Sequence, residues 1–198
     1  MTQLLAFLCG VLIHTSILAE KYYKVKITMR DGSELNGVAY LPMNPVGVPI
    51  TFKDDGNEKK VKIACDSIKT LVYYEKQQTW EYDRMDVFLD ESDKKPEQLW
   101  VEVSRRGPTT LYKYDHLNRS IGYDSRRVHR HWICIRSAEN AARSISSETM
   151  KKAAFIETAV AYFKDDTELT KKIESGQYKW NDMEAIVDEY NSWKKNNR

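Results

Sequence analysis

The sequence has little of what usually makes a function legible. Three cysteines, 5 prolines and 8 glycines in 198 residues exclude a disulfide framework and a Pro/Gly-rich repetitive chain. An excess of one charge is missing as well. With 31 Lys and Arg against 29 Asp and Glu, neither a chain-wide nucleic-acid role nor a membrane-surface role finds support. There is no G-x-S-x-G elbow, no H-E-x-x-H pair and no P-loop. Gly32 and Gly37 have the outer spacing of a P-loop but lack the Lys and Ser/Thr that must follow, and Asp90-x-Ser92-x-Lys94 fails as a calcium loop at its fifth position. Carboxylate pairs are abundant among 29 acidic residues, and without geometry they support no glycosidase assignment. No catalytic residue, no cofactor and no metal site is assigned on this basis.

One apolar run is present, Leu4 to Ala19, reading LLAFLCGVLIHTSILA without a charged side chain. A transmembrane helix needs about 20 apolar residues, and this run is shorter and interrupted by His14, Thr15 and Ser16. It reads as a signal peptide over 1–19, cleaved after Ala19, although the leading Met-Thr-Gln lacks Lys and Arg. Cys9 lies mid-run behind Ala-Phe-Leu, which disfavours a lipoprotein signal. The expectation is export to the periplasm, the outer membrane or the exterior, with no transmembrane segment after cleavage. Cys65 and Cys134 then remain, each in an apolar strand-like run. Both read as small buried hydrophobes, and their pairing stays open.

Organisation is clearer than function. Tyr23, Val25, Ile27 and Met29 alternate with Lys24, Lys26, Thr28 and Arg30, the pattern of a half-buried antiparallel strand. Asp31-Gly32 supplies a hairpin turn into Leu35–Leu41, and Pro42, Pro45 and Pro49 mark a connection. Further strands are expected near Pro49–Lys53, Lys60–Cys65, Lys69–Tyr74, Thr79–Leu89, Leu99–Val103, Thr109–Tyr114 and Arg126–Ile135. After Arg136 the period becomes helical: Phe155, Ile156, Ala159, Val160 and Phe163 form one stripe, and Met183, Ile186, Val187 and Tyr190 another, with Trp193 at its edge. Asp165 with Glu168, and Asn181 with Glu184, have capping-box spacing. The spacing predicts an α+β protein: an antiparallel β domain over 20–140, as a small barrel or sandwich, then a C-terminal unit of about three short helices over 146–198 packed on or beside it.

The segments ITMRDGSELNGVAYLP, ITFKDDGNEKKVKIACDSIKTLVYY, TTLYKY and YFKDDTELTKKIESGQYKWNDMEAIVDEYNSW follow one another in that order. In this the chain resembles a group of exported proteins of the Bacteroidetes, over nearly all of its length after Ala19. It departs from that group at Cys65-Asp66-Ser67, where a polar or Pro-containing turn is usual. The resemblance implies export and carries no activity and no residue role.

The most basic stretch is RRVHRHWICI, residues 126 to 135. His129 and His131, two apart on a strand, share a face with Ile133 and Ile135, whereas Arg130 shares its face with Trp132 and Cys134. Two imidazoles are half of a tetrahedral shell, and the nearest further candidates, Asp115 and His116, are distant in sequence. The reading that results is an anion- or partner-binding patch of Arg126, Arg127, His129, Arg130 and His131, with Arg105, Arg106, Arg119 and Arg136 as possible neighbours. The competing expectation is a solvated face balanced by the segment Glu81–Glu97, which holds seven carboxylates. Trp80, Tyr82, Trp100, Tyr112 and Tyr114 lie on expected strands, either as packing or as stacking platforms.

Two functional classes are compatible with these observations. One is a non-enzymatic envelope module that binds an envelope protein or a glycan, with no nucleic acid involved. The other is a hydrolase or metal-dependent enzyme without a linear motif, which a convergence of His116, His129 and His131 would favour. Export has a direct check. N-terminal sequencing of the protein from its native host is expected to begin near Glu20, and intact Met1 in the cytosol would refute it.

Overall fold

Local chemistry makes the first hairpin. In β1 (Tyr23–Met29) Val25 and Ile27 are buried and Lys24 faces solvent. Gly32 takes φ +88°, a left-handed value that a Cβ would strain. The Asp31 carboxylate braces the turn by accepting from the Ser33 amide at 2.9 Å and the Ser33 hydroxyl at 2.7 Å. β2 (Glu34–Ala39) returns with Ile27 opposite Leu35 and Val25 opposite Gly37. The computed structural model describes residues 21–42, 44, 46–56, 59–118 and 127–197. The leader expected over 1–19 lies outside the described residues.

The remaining strands are β3 (Ile50–Asp54), β4 (Lys60–Ile63), β5 (Ile68–Glu75), β6 (Gln78–Phe88), β7 (Glu97–Arg105), β8 (Thr109–Asn118), β9 (Arg127–Arg136) and β10 (Ala142–Ser147), with a 3-10 turn at Cys65–Ser67 between β4 and β5. They form one ten-stranded sheet in the order β10-β9-β8-β7-β6-β5-β1-β2-β3-β4. The order is that of successive hairpins except where β1 and β2 insert beside β5. All pairings are antiparallel but one. β10 also meets β6 in parallel, Ala142 opposite Val87 and Arg143 opposite Phe88, so the strands from β6 to β10 close on one another and the sheet is mixed. Three helices follow, α1 (Lys152–Tyr162), α2 (Thr167–Glu174) and α3 (Met183–Asn196). The α+β class with a C-terminal helical unit is the one expected.

Alternation along the shared strands divides the interior into three cores. Leu99 and Val101 of β7, Tyr112 and Tyr114 of β8 and Ile133 of β9 join Val87 and Ala142 in one cluster drawn from all five closed strands. Trp100, pointing oppositely from β7, joins Val25, Ile27, Leu71 and Tyr73 of the first half. Leu111, Trp132, Cys134 and Ile145 face the helices and meet Phe155, Phe163, Leu169, Ile186 and Tyr190. The expected helical stripes are thus the buried ones, and the helices cover the sheet. Trp100, Tyr112 and Tyr114 are buried, and Trp80 and Tyr82 pack half-buried against the first-half core, so these five rings pack instead of forming an exposed platform. Cys65 and Cys134 are free and buried. The Cys65 thiol donates to the Val48 carbonyl at 3.1 Å, and burial pushes the Cys134 thiol far above its ordinary pKa. Among the described residues no helix is long and apolar enough to cross a membrane.

The end of the β region and the caps of α2 and α3 differ from the sequence expectation. The β region continues past 140, because β10 covers Ala142–Ser147 where helical structure was expected from 146. Its polar residues are buried because each has a partner: Ser146 donates to the Trp180 carbonyl at 2.8 Å and Ser144 lies 3.1 Å from His131 Nδ1. The cap of α2 is Asp166, whose carboxylate accepts from the Leu169 amide at 3.1 Å. Asp165 instead accepts from the Tyr190 hydroxyl and from Lys194, at 2.7 and 2.9 Å. The residue preceding α3 is Asp182 rather than Asn181, and its side chain accepts from the Lys179 amide at 2.8 Å.

The helices are fixed to the sheet by Asn191 of α3. Its side-chain oxygen accepts from the Thr109 amide and its nitrogen donates to the Thr109 carbonyl, each at 2.8 Å, in a fully buried setting. Replacing Asn191 by Ala strands two buried backbone groups, which costs about 2–4 kcal/mol. Urea unfolding of Asn191→Ala is expected to show that loss, and a midpoint equal to that of the parent chain would refute it.

Candidate functional site

The pairing of β8 with β9 places Asp115 opposite Arg130 and Lys113 opposite Trp132. Asp115 and Arg130 form a two-pronged pair, Arg130 Nε to Oδ1 at 2.8 Å and Nη2 to Oδ2 at 2.9 Å. This is the geometry that suits a guanidinium fork. The Lys113 ammonium sits 5.6 Å from the centre of the Trp132 ring and 3.4 Å from Glu184 Oε1 of α3. Glu102 of β7 lies opposite Lys113, so carboxylates and cations alternate across this face of the sheet.

A groove of about 420 Å³ opens here, lined by Asp115, Arg130, Trp132, Glu148, Trp180 and Asn181. The strand-to-helix region brings its far wall into place. The Glu148 amide donates to the Arg130 carbonyl at 3.0 Å, and the Ser146 hydroxyl holds the Trp180 carbonyl. Trp132 is only 6 % exposed, and its indole N–H is buried without an acceptor. An unpaired donor in such a position is costly.

Charge in this neighbourhood is uneven. Burial, with the Asp115 carboxylate adding to it, raises the Glu102 carboxyl above its ordinary value, although Lys113 and Arg130 pull the other way. The Asp115 hydrogen bond raises the Arg130 guanidinium, so the pair stays ionised.

Along the basic strand His129 and His131 share one face and Arg130 lies on the other. Arg126 lies outside the described residues, and Arg127 begins β9 opposite Asn118. His129 is half-buried, opposite His116 in register, and its buried Nδ1 has no partner among the described residues. His131 lies on the same face, 3.1 Å from the Ser144 hydroxyl and 6.1 Å from the Tyr114 ring centre. Arg130 faces the other way, into the groove. Among the described residues no three His, Cys, Asp or Glu side chains group as metal ligands.

Of the arginines expected near the patch, Arg119 lies outside the described residues and Arg105, Arg106 and Arg136 answer carboxylates. Arg105 meets Glu184 at 3.0 Å and Asp188 at 3.3 Å. Arg106 meets Glu81 and Asp83, each at 2.6 Å. Arg136 donates to the Tyr162 carbonyl and to Asp165, with its guanidinium 4.6 and 5.2 Å from the rings of Tyr162 and Tyr190. The acidic segment does balance part of this charge, through Glu81 and Asp83.

Sequence reasoning reached Arg130 and Trp132 and missed Glu148, Trp180 and Asn181. Their only sequence signal was a tryptophan in the short connection before α3, and its approach to β9 depends on the unforeseen strand β10. No family model, no curated protein and no solved structure matches this chain.

The raised Glu102 pKa has a signed consequence. The folded protein holds that proton more tightly than the unfolded chain, so stability is lost as pH rises from the ordinary glutamate value of 4.5 through the folded pKa. Glu102→Gln is expected to melt higher than the parent at pH 7 and to lose that advantage below the ordinary glutamate range. Melting curves that shift equally at both pH values would refute the assignment.

Proposed function

We propose that this is an exported cell-envelope protein that works by binding, and that the groove between Trp132 and Trp180 takes a glycan. The carrying observation is the composition of that groove: two indoles, one with an unpaired N–H, beside carboxylates and an amide. Sugar rings offer C–H faces to aromatic side chains and hydroxyls that both donate and accept. Asp115, Glu148 and Asn181 supply acceptors, while Arg130 and Asn181 supply donors. Export is supported by the apolar run Leu4–Ala19 and by the resemblance to exported Bacteroidetes proteins. The periplasm, the outer membrane and the exterior are all compatible destinations.

A second reading has one specific observation in its favour. Burial raises the Glu102 carboxyl above its ordinary pKa and the Asp115 carboxylate adds to the rise, and a carboxyl raised in this way is the usual general acid on a glycosidic bond. Glu102 does not line the groove, however, so binding is the stronger reading.

Titration of envelope oligosaccharides against intrinsic tryptophan fluorescence separates these readings. Trp180→Ala removes one indole but keeps the backbone carbonyl that Ser146 uses. It is expected to weaken binding by about tenfold, or ~1.4 kcal/mol, with Asn181→Ala weakening it less. Oligosaccharide bound equally by both variants, or by neither variant nor parent, would refute the glycan reading. Release of new reducing ends by the parent protein, lost in Glu102→Gln, would establish the hydrolase.

A further inference from the structure

A second groove, of about 450 Å³, is lined by four cationic side chains, Arg30, Lys69, Arg84 and Arg106. They come from different elements: the turn after β1, the start of β5, the middle of β6 and the turn after β7. Arg84 is the unusual member. Its side chain is 7 % exposed, yet its buried Nε has no hydrogen-bond partner among the described residues. A guanidinium buried this deeply ordinarily has its donors answered. Its ion pair is with Asp66, whose side chain is 89 % exposed on the 3-10 turn Cys65–Ser67. The Arg30 amide, donating to the Ser67 carbonyl at 2.8 Å, ties that turn to the end of β1.

The acids within the groove are already engaged. Glu81 and Asp83 both accept from Arg106, at 2.6 Å each. Asp83 also accepts from the Tyr112 hydroxyl at 2.9 Å and the Thr70 hydroxyl at 3.2 Å. Lys69 is exposed and has no carboxylate partner among the described residues. Arg30, Lys69 and Arg84 add three positive charges to a groove in which Arg106 offsets one of the two carboxylates Glu81 and Asp83, and the exposed Asp66 carboxylate pairs with Arg84. The Arg84 hydrogen bond, with Arg30 adding to it, holds the Asp66 carboxyl below its ordinary pKa.

We propose that this groove binds a tetrahedral oxyanion, a phosphate or sulfate group, between Arg84, Lys69 and Arg30, and that the Asp66 carboxylate is the internal occupant it displaces. One arginine fork suffices for a planar carboxylate, whereas cations arriving from several directions suit an anion whose oxygens point several ways. The site is independent of the groove at Trp132.

Calorimetric titration of the purified protein at low salt, where screening is weak, tests the site with inorganic phosphate, sulfate and acetate in separate arms. Phosphate or sulfate is expected to bind, acetate more weakly, and the tighter of the first two names the ligand group. Asp66→Asn removes the competitor and is expected to tighten binding about threefold, the size of effect of one exposed ion pair. Lys69→Gln, at an exposed position with no partner to lose, is expected to weaken it by a similar factor. Arg84→Gln is expected to abolish binding, and if that variant does not fold the two exposed variants still decide. Phosphate and sulfate binding no better than acetate, or affinity unmoved or weakened by Asp66→Asn, would overturn the proposal.

Discussion

The contact between Asn191 and Thr109 holds the two halves of the C-terminal region together. A carboxamide can donate and accept in one plane, so it satisfies both backbone groups of a strand residue as a neighbouring strand would. The turn before Thr109 is shaped around it. A Cβ on Gly107 would lie 2.4 Å from Asn191 Nδ2, so only glycine lets α3 approach so closely. From that anchor Glu184, on the same helix, reaches Ser104 at 2.5 Å, Arg105 and Lys113. Tyr190 reaches Asp165, which also receives Arg136 and Lys194. The connection carrying Trp180 is held between α2 and α3, so the outer wall of the groove rests on the same anchor. The same device recurs at the other core. Asn44 accepts from the Trp100 amide at 2.8 Å and donates to its carbonyl at 3.0 Å, joining the proline-rich connection to β7.

What could be read from residues alone follows the range of the forces involved. The β1–β2 hairpin was legible because alternation and Asp31-Gly32 act over neighbouring positions. The stripes of α1 and α3 were legible because 3.6-residue periodicity states a buried face without naming what covers it. β10 was not legible, since Ser144, Ser146 and Ser147 are polar in sequence and buried only through partners far along the chain. The cap of α2 moved by one residue because Asp165 has a better use, with Tyr190, Lys194 and Arg136, than at the helix end. At the site, parity along β9 already separated His129 and His131 from Arg130. The groove itself required Trp180 and Glu148, which no local pattern ties to that strand.

Near-neutral net charge conceals a division of labour among the cations. Arg105, Arg106, Arg130 and Arg136 each find carboxylates contributed by other strands or helices. Exposed pairs of this kind add little stability singly. Their value here lies in orientation: they align helix with strand and strand with strand. Arg84 differs from them, because its partner is a solvent-facing side chain while its own donors are buried. Its buried Nε, like that of Arg136, has no partner among the described residues.

Closure of β10 onto β6 has a consequence for how the chain is made. The first-half core draws mainly on strands that are neighbours in sequence and can assemble early, since short loops close at little entropic cost. The closed strands cannot finish until Ala142 reaches Val87, long after β6 has emerged, and such distant contacts are slow to form. Until then Tyr112, Ile133 and Leu99 face an open side, and β6 and β10 present unpaired edges. An unfinished chain is therefore most exposed at that seam. A β10 supplied by a second unfinished chain fits the same gap, which makes strand exchange the characteristic hazard of this topology.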